Sequence, residues 1–333
     1  MAKEIRIMPE PTLSPKQNTT EGYYTKKAAS ALFNGYHPVV SLAFSRRDFF
    51  IEGPKYVEGM SISGVQQKLS LVLNKNNELE IVSIGGEYIL KPSPESFPFA
   101  SENEQCAMAL SRLAGINTAA SAIVKFSTGE NAYITRRYDR MEGRKLHQED
   151  LSQGFNIPST EKYSKSYEEA LLLVHEMSGG KLSVVRDLLN RIVFAYLIGN
   201  DDMHLKNISL MKTDNNRTIY YDSLTPNYDQ LFAQSFENKL VIGFLVLDLL
   251  KDENDGIFTK MYEKYGFYTG SDFLLLGRRA GLPDPAINSI FNNYFSKEQE
   301  MLSMINRSFM PDDMKVRATS KIKDRLKAIK IIK

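Results

Sequence analysis

The chain has no tryptophan and a single cysteine, Cys106, among 333 residues. One thiol excludes an intrachain disulfide and a cysteine-rich zinc site, and it suits a reducing compartment. The four histidines (His37, His147, His175 and His204) lie far apart, and no pair has metal spacing such as H-E-x-x-H. Charge of one sign is also lacking: 42 Lys and Arg stand against 40 Asp and Glu, a net +2. That balance removes any bulk electrostatic case for a direct nucleic-acid binder. No apolar run approaches the roughly 18 residues of a membrane span, and "MAKEIRIMPEPTLSPKQ" has no signal-peptide core. The expectation is a cytoplasmic protein with no membrane association, although a signal read by a dedicated secretion machine would leave no such trace.

What is present is ordinary globular composition, 42% apolar and 25% charged, in a chain long enough for two lobes. Residues 60–140 alternate in the strand manner in "KLSLVL", "EYILK", "SAIVKF" and "NAYITRRY". Between the second and third of these lies "FASENEQCAMALSRLAGI", with Ala107, Leu110 and Ala114 at helical spacing and Gly115 as its stop. From about residue 160 the pattern is mostly helical. Ser166 with Glu169 makes a capping box, and Val184, Leu188, Ile192 and Tyr196 recur at i+4 in a helix ending at Gly199. Strands followed by helices predict an α+β fold of two lobes: a strand-rich N-lobe over 1–139 and an all-helical C-lobe over 140–333.

The stretch "GNDDMHLKNISL" after that helix carries more chemistry than a turn needs. Asp202 and Asn207 have the D-x-x-x-x-N spacing of kinase catalytic loops. There the aspartate accepts the hydroxyl proton and the asparagine oxygen holds Mg²⁺ over the phosphates of ATP. A second metal carboxylate is available from "YYDSLTPNYDQL", as Asp222 or Asp229, after a short strand-like "RTIYY". A phosphate-binding cation is available from Lys91, which closes the strand "EYILK". Glu104 either pairs with Lys91 or completes a capping box with Ser101. Each piece alone is common in turns and helix starts; their order and spacing together point to phosphoryl transfer.

In the order "SISGVQQKLSLVL", "YILKPSPESFP", "NEQCAMALSRLAGI", "ITRRYDR", "LHQEDL", "GNDDMHLKNISL" and "LTPNYDQL", the sequence resembles the HipA toxin kinases from about Gly59 onward. The resemblance implies a protein-kinase-like fold and a MgATP-dependent serine/threonine kinase acting as the toxin of a toxin–antitoxin system. It implies Asp202 as catalytic base, Asn207 and Asp229 as Mg²⁺ ligands, and Lys91 on the nucleotide phosphates with Glu104 beside it. It further implies that the Arg136 and Tyr138 backbone forms the adenine hinge, that Ser63, Gly64 and Val65 line the nucleotide, and that His204 and Lys206 contact phosphate. The short segment before the first motif resembles the HipT branch. That branch implies a separate small antitoxin protein resembling the missing N-terminal subdomain and a DNA-binding partner protein; the family resemblance implies an aminoacyl-tRNA synthetase as substrate.

The loop "SISG" carries two serines, Ser61 and Ser63, where HipA proper has one. A phosphoserine there would add about −1.5 to −2 charge at neutral pH and repel ATP; the resemblance likewise implies autophosphorylation that turns the kinase off. The basic C-terminal stretch places Ile322, Leu326 and Ile329 on one helix face, as expected for docking on the helical lobe. Two other function classes remain open at this point. A phosphoinositide-type lipid kinase would carry a similar catalytic loop, and an inactive nucleotide-binding module would hold an antitoxin without transfer.

Overall fold

In the computed structural model, alternating apolar side chains build the sheet that carries Lys91. The structure describes residues 26–33, 41–42, 44–52, 67–76, 78–141, 144–213, 215–237 and 243–333. Six strands are hydrogen-bonded among these: β1 (Ser41–Leu42), β2 (Leu69–Leu73), β3 (Glu78–Ile81), β4 (Tyr88–Pro92), β5 (Ser121–Lys125) and β6 (Asn131–Arg136), in the order β1-β3-β2-β4-β6-β5. All pairings are antiparallel except β1 with β3. Leu69, Leu71, Tyr88, Leu90, Ala122, Val124, Ala132 and Ile134 join one core cluster. Its other members include Leu32 and Phe33 of α1 (Lys26–Phe33) and Phe49 of α2 (Arg46–Glu52). The period of two sends Ile123 and Tyr133 to the opposite face, against Met108 of α3 (Ala100–Leu113).

Helix α3 is buried around its whole circumference from Ser101 to Ser111, including five consecutive polar residues, Ser101 to Gln105. Burial of that kind is offset where the polar groups are bonded, although Glu102 Oε2 and Gln105 Oε1 have no hydrogen-bond partner. Ser101 Oγ donates to Lys91 O (2.9 Å), Asn131 Nδ2 donates to Glu102 Oε1 (2.7 Å), and Ser111 Oγ meets Thr118 Oγ1 at 2.8 Å. Cys106 is buried within the same helix.

The chain divides into two compact units. One comprises Met1–Ala109, Ala119–Arg144 and Arg307–Pro311; the other comprises Leu110–Thr118, Lys145–Asn306 and Asp312–Lys333. The short strands β7 (Arg140–Met141) and β8 (Arg144–Lys145) pair with each other. The second unit is helix-rich but not all-helical. A three-stranded antiparallel sheet orders β9 (Gln148–Asp150), β10 (Ser209–Met211) and β11 (Ser223–Leu224) as β11-β10-β9. The strand-like "RTIYY" is not a strand. Asn216 ties Thr218 N–H and the Tyr220 carbonyl into a loop, and Ile219 is 80% exposed, so no buried face supports pairing there.

Helix α4 (Leu151–Gly154) is capped by Asp150, and α5 (Tyr167–Met177) opens with the expected Ser166–Glu169 capping box. Helix α6 (Leu182–Ile198) is buried throughout its second half and delivers the chain to the loop of Asp202 and Asn207. Helices α7 (Lys260–Tyr265), α8 (Gly270–Arg279), α9 (Asp284–Ser296), α10 (Glu298–Asn306) and α11 (Asp312–Ile329) follow. On α11 the expected apolar face is buried, Ile322, Leu326 and Ile329 included. None of the described helices is long and apolar enough to cross a membrane.

Helix α6 stops at Gly199, whose φ of +68° is left-handed. A Cβ there would come within 3.2 Å of Gln234 Oε1 and Lys321 Cγ, while one at Gly256 (φ +74°) would meet nothing within 4 Å. Gly199→Ala should therefore lower the urea-unfolding free energy by about 1–3 kcal/mol, and by more than Gly256→Ala, which carries backbone strain alone. Equal losses for the two substitutions would show that the crowding at Gly199 relaxes freely.

Candidate active site

In the first unit, Lys91 sits at the end of β4 in register with Tyr133 of β6, and its ammonium lies 5.5 Å from that ring centroid. Its Nζ is 2.8 Å from Glu104 Oε1, and the two residues are 8% and 1% exposed. This resolves the choice left open by the sequence: Glu104 reaches the lysine, and Ser101 bonds the Lys91 carbonyl instead of capping the helix. Removing one member of such a buried pair strands the other charge. Helix α3 thus fixes the lysine from behind.

The proposed hinge residues follow. Arg136 donates its N–H to Ala120 O (2.9 Å) and Arg137 donates to Glu87 O (2.8 Å), so both amides belong to the sheet. Tyr138 packs beside the Tyr133 cluster. The next residue, Asp139, is buried, which alone would raise its pKa. The bidentate Arg137 hydrogen bonds (3.0 and 2.9 Å) and the charges of Arg137 and Arg140 outweigh that and hold it below the usual carboxylate range. Ser61, Ser63, Gly64 and Val65 lie outside the described residues.

In the second unit, the loop of Asp202 and Asn207 closes on its own backbone. Asn200 Oδ1 accepts from Asp202 N–H (3.2 Å), and Asp202 O accepts from His204 N–H and from Asn207 Nδ2, each at 2.9 Å. Because Asn207 donates through its amide nitrogen, its Oδ1 is the end left to bind a cation. Tyr167 at the start of α5 donates to Met203 O (2.8 Å) and holds the loop beside Asp202. Burial drives the Tyr167 hydroxyl pKa well up, and the charges of Asp202 and Asp201 push it further.

Asp229 has a φ of +51°, a left-handed conformation that aspartate tolerates better than most residues. Its neighbours on both sides are anchored. Tyr228 OH meets Ser209 Oγ (2.9 Å) and donates to Lys206 O (3.0 Å). Gln230 accepts from Asn200 Nδ2 (3.1 Å) and donates to Asn227 Oδ1 (3.3 Å) and Tyr228 O (3.0 Å). Asn227 continues the relay, donating through Nδ2 to Ser111 Oγ (2.9 Å) and through N–H to Asn117 O (2.7 Å). Asn200, Asn227, Gln230 and Ser111 are each at most 1% exposed. One buried amide relay therefore ties the loop of Asp202 to the turn of Asp229.

Asp222 is engaged elsewhere. Its carboxylate accepts from Thr213 N–H (2.7 Å), Thr213 Oγ1 (2.9 Å) and Asn216 Nδ2 (2.9 Å), and these bonds, the Thr213 amide first, lower its pKa. It serves as the clasp of the 213–222 loop. No cluster of three or more His, Cys, Asp or Glu suited to a metal exists among the described residues. An amide oxygen such as that of Asn207 and a carboxylate such as that of Asp229 are the ligand types that suit Mg²⁺, which takes one or two protein oxygens and completes its shell with water and phosphate.

His204 and Lys206 separate in role. Lys206 Nζ pairs with Asp150 at 3.1 Å. His204 is 6% exposed and lies 2.9 Å through Nε2 from Lys162 Nζ. Burial first, then the Lys162 charge, brings its pKa down to about 4. Sequence reasoning did not find Asn200, Asn227, Gln230, Tyr167 or Lys162. Asn200 and Gln230 flank the two motifs, but nothing in their spacing marks them as partners.

Against known proteins, residues 60–300 match the HipA-like C-terminal domain, and the chain belongs to that family. It is 31% identical over 313 residues to a protein of Haemophilus influenzae named "Putative kinase", covering 89% of each. In structure it is similar to HipA of Shewanella oneidensis MR-1, solved with HipB and operator DNA. The TM-score is 0.61 at 20% identity, over 84% of this chain and 70% of that one. It is also similar to the Helicobacter pylori proinflammatory kinase CtkA, with a TM-score of 0.51 at 16% identity over 81% of this chain and 90% of that one. The fold is accordingly an α+β, kinase-like one.

The neutral state of His204 has a measurable signature. Its folded pKa lies below the unfolded value of about 6.5, so the unfolded state binds the extra proton between pH 6.5 and 4. The stability it contributes is complete above pH 6.5 and is lost as pH falls toward 4. Urea unfolding at pH 7 and pH 5 should show an excess loss on the order of 1 kcal/mol in wild type relative to His204→Gln. Identical pH profiles for the two proteins would mean that His204 titrates normally.

Proposed function

We propose that this HipA-family chain is a MgATP-dependent serine/threonine protein kinase of the cytoplasm. The observation that carries the reading is the buried amide relay joining the loop of Asp202 to the turn of Asp229, because phosphoryl transfer needs a proton acceptor and a metal carboxylate at fixed spacing. Asp202 would accept the proton of the attacking hydroxyl. Asn207 and Asp229 would hold Mg²⁺, which neutralises charge on the phosphates. Lys91, held by Glu104, would bind the nucleotide phosphates, and the strand end at Arg136 and Tyr138 would receive the adenine.

The finer reading follows from family and motif. The chain would act as the toxin of a toxin–antitoxin system and phosphorylate an aminoacyl-tRNA synthetase, with phosphorylation of Ser61 or Ser63 opposing ATP. The Shewanella HipA was solved with HipB and operator DNA, which supports an antitoxin and a DNA-binding protein as partners here.

Label transfer from γ-labelled ATP into a host lysate tests the reading. Asp202→Asn should lower transfer by at least a thousandfold while MgATP still binds, since proton acceptance and binding are separate roles. Asp229→Ala should weaken Mg²⁺-dependent nucleotide binding by at least tenfold, and Asp222→Ala should leave it intact. Mass spectrometry of the same reaction should place phosphate on Ser61 or Ser63. Full transfer by Asp202→Asn, or a metal defect confined to Asp222→Ala, would contradict the assignment.

A further inference from the structure

We propose that Lys162 is a catalytic residue, the cation that meets the transferring phosphoryl group; this rests on the kinase reading. Lys162 follows the short turn Ser159–Glu161, and its carbonyl accepts from Leu205 N–H (3.3 Å), so the segment is bonded directly to the catalytic loop. Its ammonium is 2.9 Å from His204 Nε2 and 4.9 Å from the Tyr163 ring centroid, and the Tyr163 ring stands edge-on to His204 at 5.4 Å. Nearby lysines are neutralised within the fold: Lys206 by Asp150 at 3.1 Å and Lys165 by Glu169 at 3.3 Å. Among the described residues Lys162 has no carboxylate within ion-pair distance, only a neutral imidazole and a ring.

The histidine shows what that arrangement is for. An ammonium has no lone pair, so Nε2 must be the acceptor and the imidazole proton must sit on Nδ1. That atom is buried and has no hydrogen-bond partner. The fold therefore leaves one buried donor unsatisfied while Nε2 holds a cation in place. Structural stabilisation alone would favour a carboxylate at this position, since it would pair with the ammonium fully. A neutral acceptor instead positions the charge without cancelling it, which leaves the ammonium to an incoming anion. His204 is two residues beyond Asp202, and both the ammonium, through His204, and the backbone, through Leu205, anchor Lys162 to the loop that carries the base.

In the step itself, the bond between the γ-phosphorus and the β–γ bridging oxygen breaks as the acceptor hydroxyl oxygen bonds to that phosphorus. The hydroxyl proton passes to Asp202, and the bridging electron pair leaves with ADP. Lys162 neither gains nor loses a proton; it stabilises charge on the non-bridging oxygens of the group in flight.

The test uses the full-length chain, γ-labelled ATP with Mg²⁺, and host lysate as acceptor. Lys162→Met should slow transfer at saturating MgATP by about 10²–10³-fold. Its MgATP dissociation constant should stay within about threefold and its melting temperature should be unchanged, and Lys162→Arg should recover at least tenfold of the loss. Transfer by Lys162→Met within threefold of wild type overturns the inference while the kinase reading stands. So does a loss matched by equally weakened MgATP binding and not rescued by arginine. No transfer by wild type, equal to Asp202→Asn, overturns the kinase reading and this inference with it.

Discussion

The second unit depends on one buried row of amides. Asn200, Gln230 and Asn227 are closed off from water and hydrogen-bonded in sequence, so each fixes the position of the next. Asn200 also accepts from the Asp202 backbone, and Gln230 follows Asp229 directly. Moving the backbone of either loop would leave an amide unpaired in the interior, where the penalty is about 1–3 kcal/mol per group. The relay converts two loops, the least constrained kind of structure, into a site with defined spacing. Its far end rests on Ser111 and Asn117, and Arg191 of α6 adds a bond to the Thr225 carbonyl (2.9 Å) just ahead of the Asp229 turn.

The same logic governs the charges. Lys91 is buried with Glu104 so that its ammonium has one position. Asp139 is held ionised by Arg137 and Arg140 at the turn after β6. Asp222, which carries the same side chain as Asp229, is saturated by Thr213 and Asn216 and is thereby confined to clasping a loop. His204 is kept neutral by burial and by the neighbouring lysine. In each case the partner, not the residue type, decides the role.

Much of this was legible in the sequence where a local rule sufficed. Period-two alternation located β2, β4, β5 and β6, and the Ser166–Glu169 capping box and Gly199 set the ends of α5 and α6. The D-x-x-x-x-N spacing placed Asp202 and Asn207 on one closed loop. Features that depend on distant partners were not legible. The pairing of Gln230 with Asn200 spans 30 residues, and that of Lys162 with His204 spans 42. Neither carries a periodic signal. The β9–β10–β11 sheet was missed because its strands are two or three residues long, too short for alternation to show. Similarly, a charged and amide-rich helix start gave no hint that α3 is buried on every side, since Ser101, Glu102 and Glu104 find their partners in the distant Ser93, Asn131 and Lys91.

If the amide relay makes Asp202 and Asp229 act as one unit, a double-mutant cycle on phosphoryl transfer will show it. Rates at saturating MgATP would be compared for wild type, Asn200→Ala, Gln230→Ala and the double variant, with folding checked by circular dichroism. The relay predicts strong coupling, about 1–3 kcal/mol, so that the double variant is little slower than the worse single one. Losses that multiply independently, with no coupling energy, would contradict it.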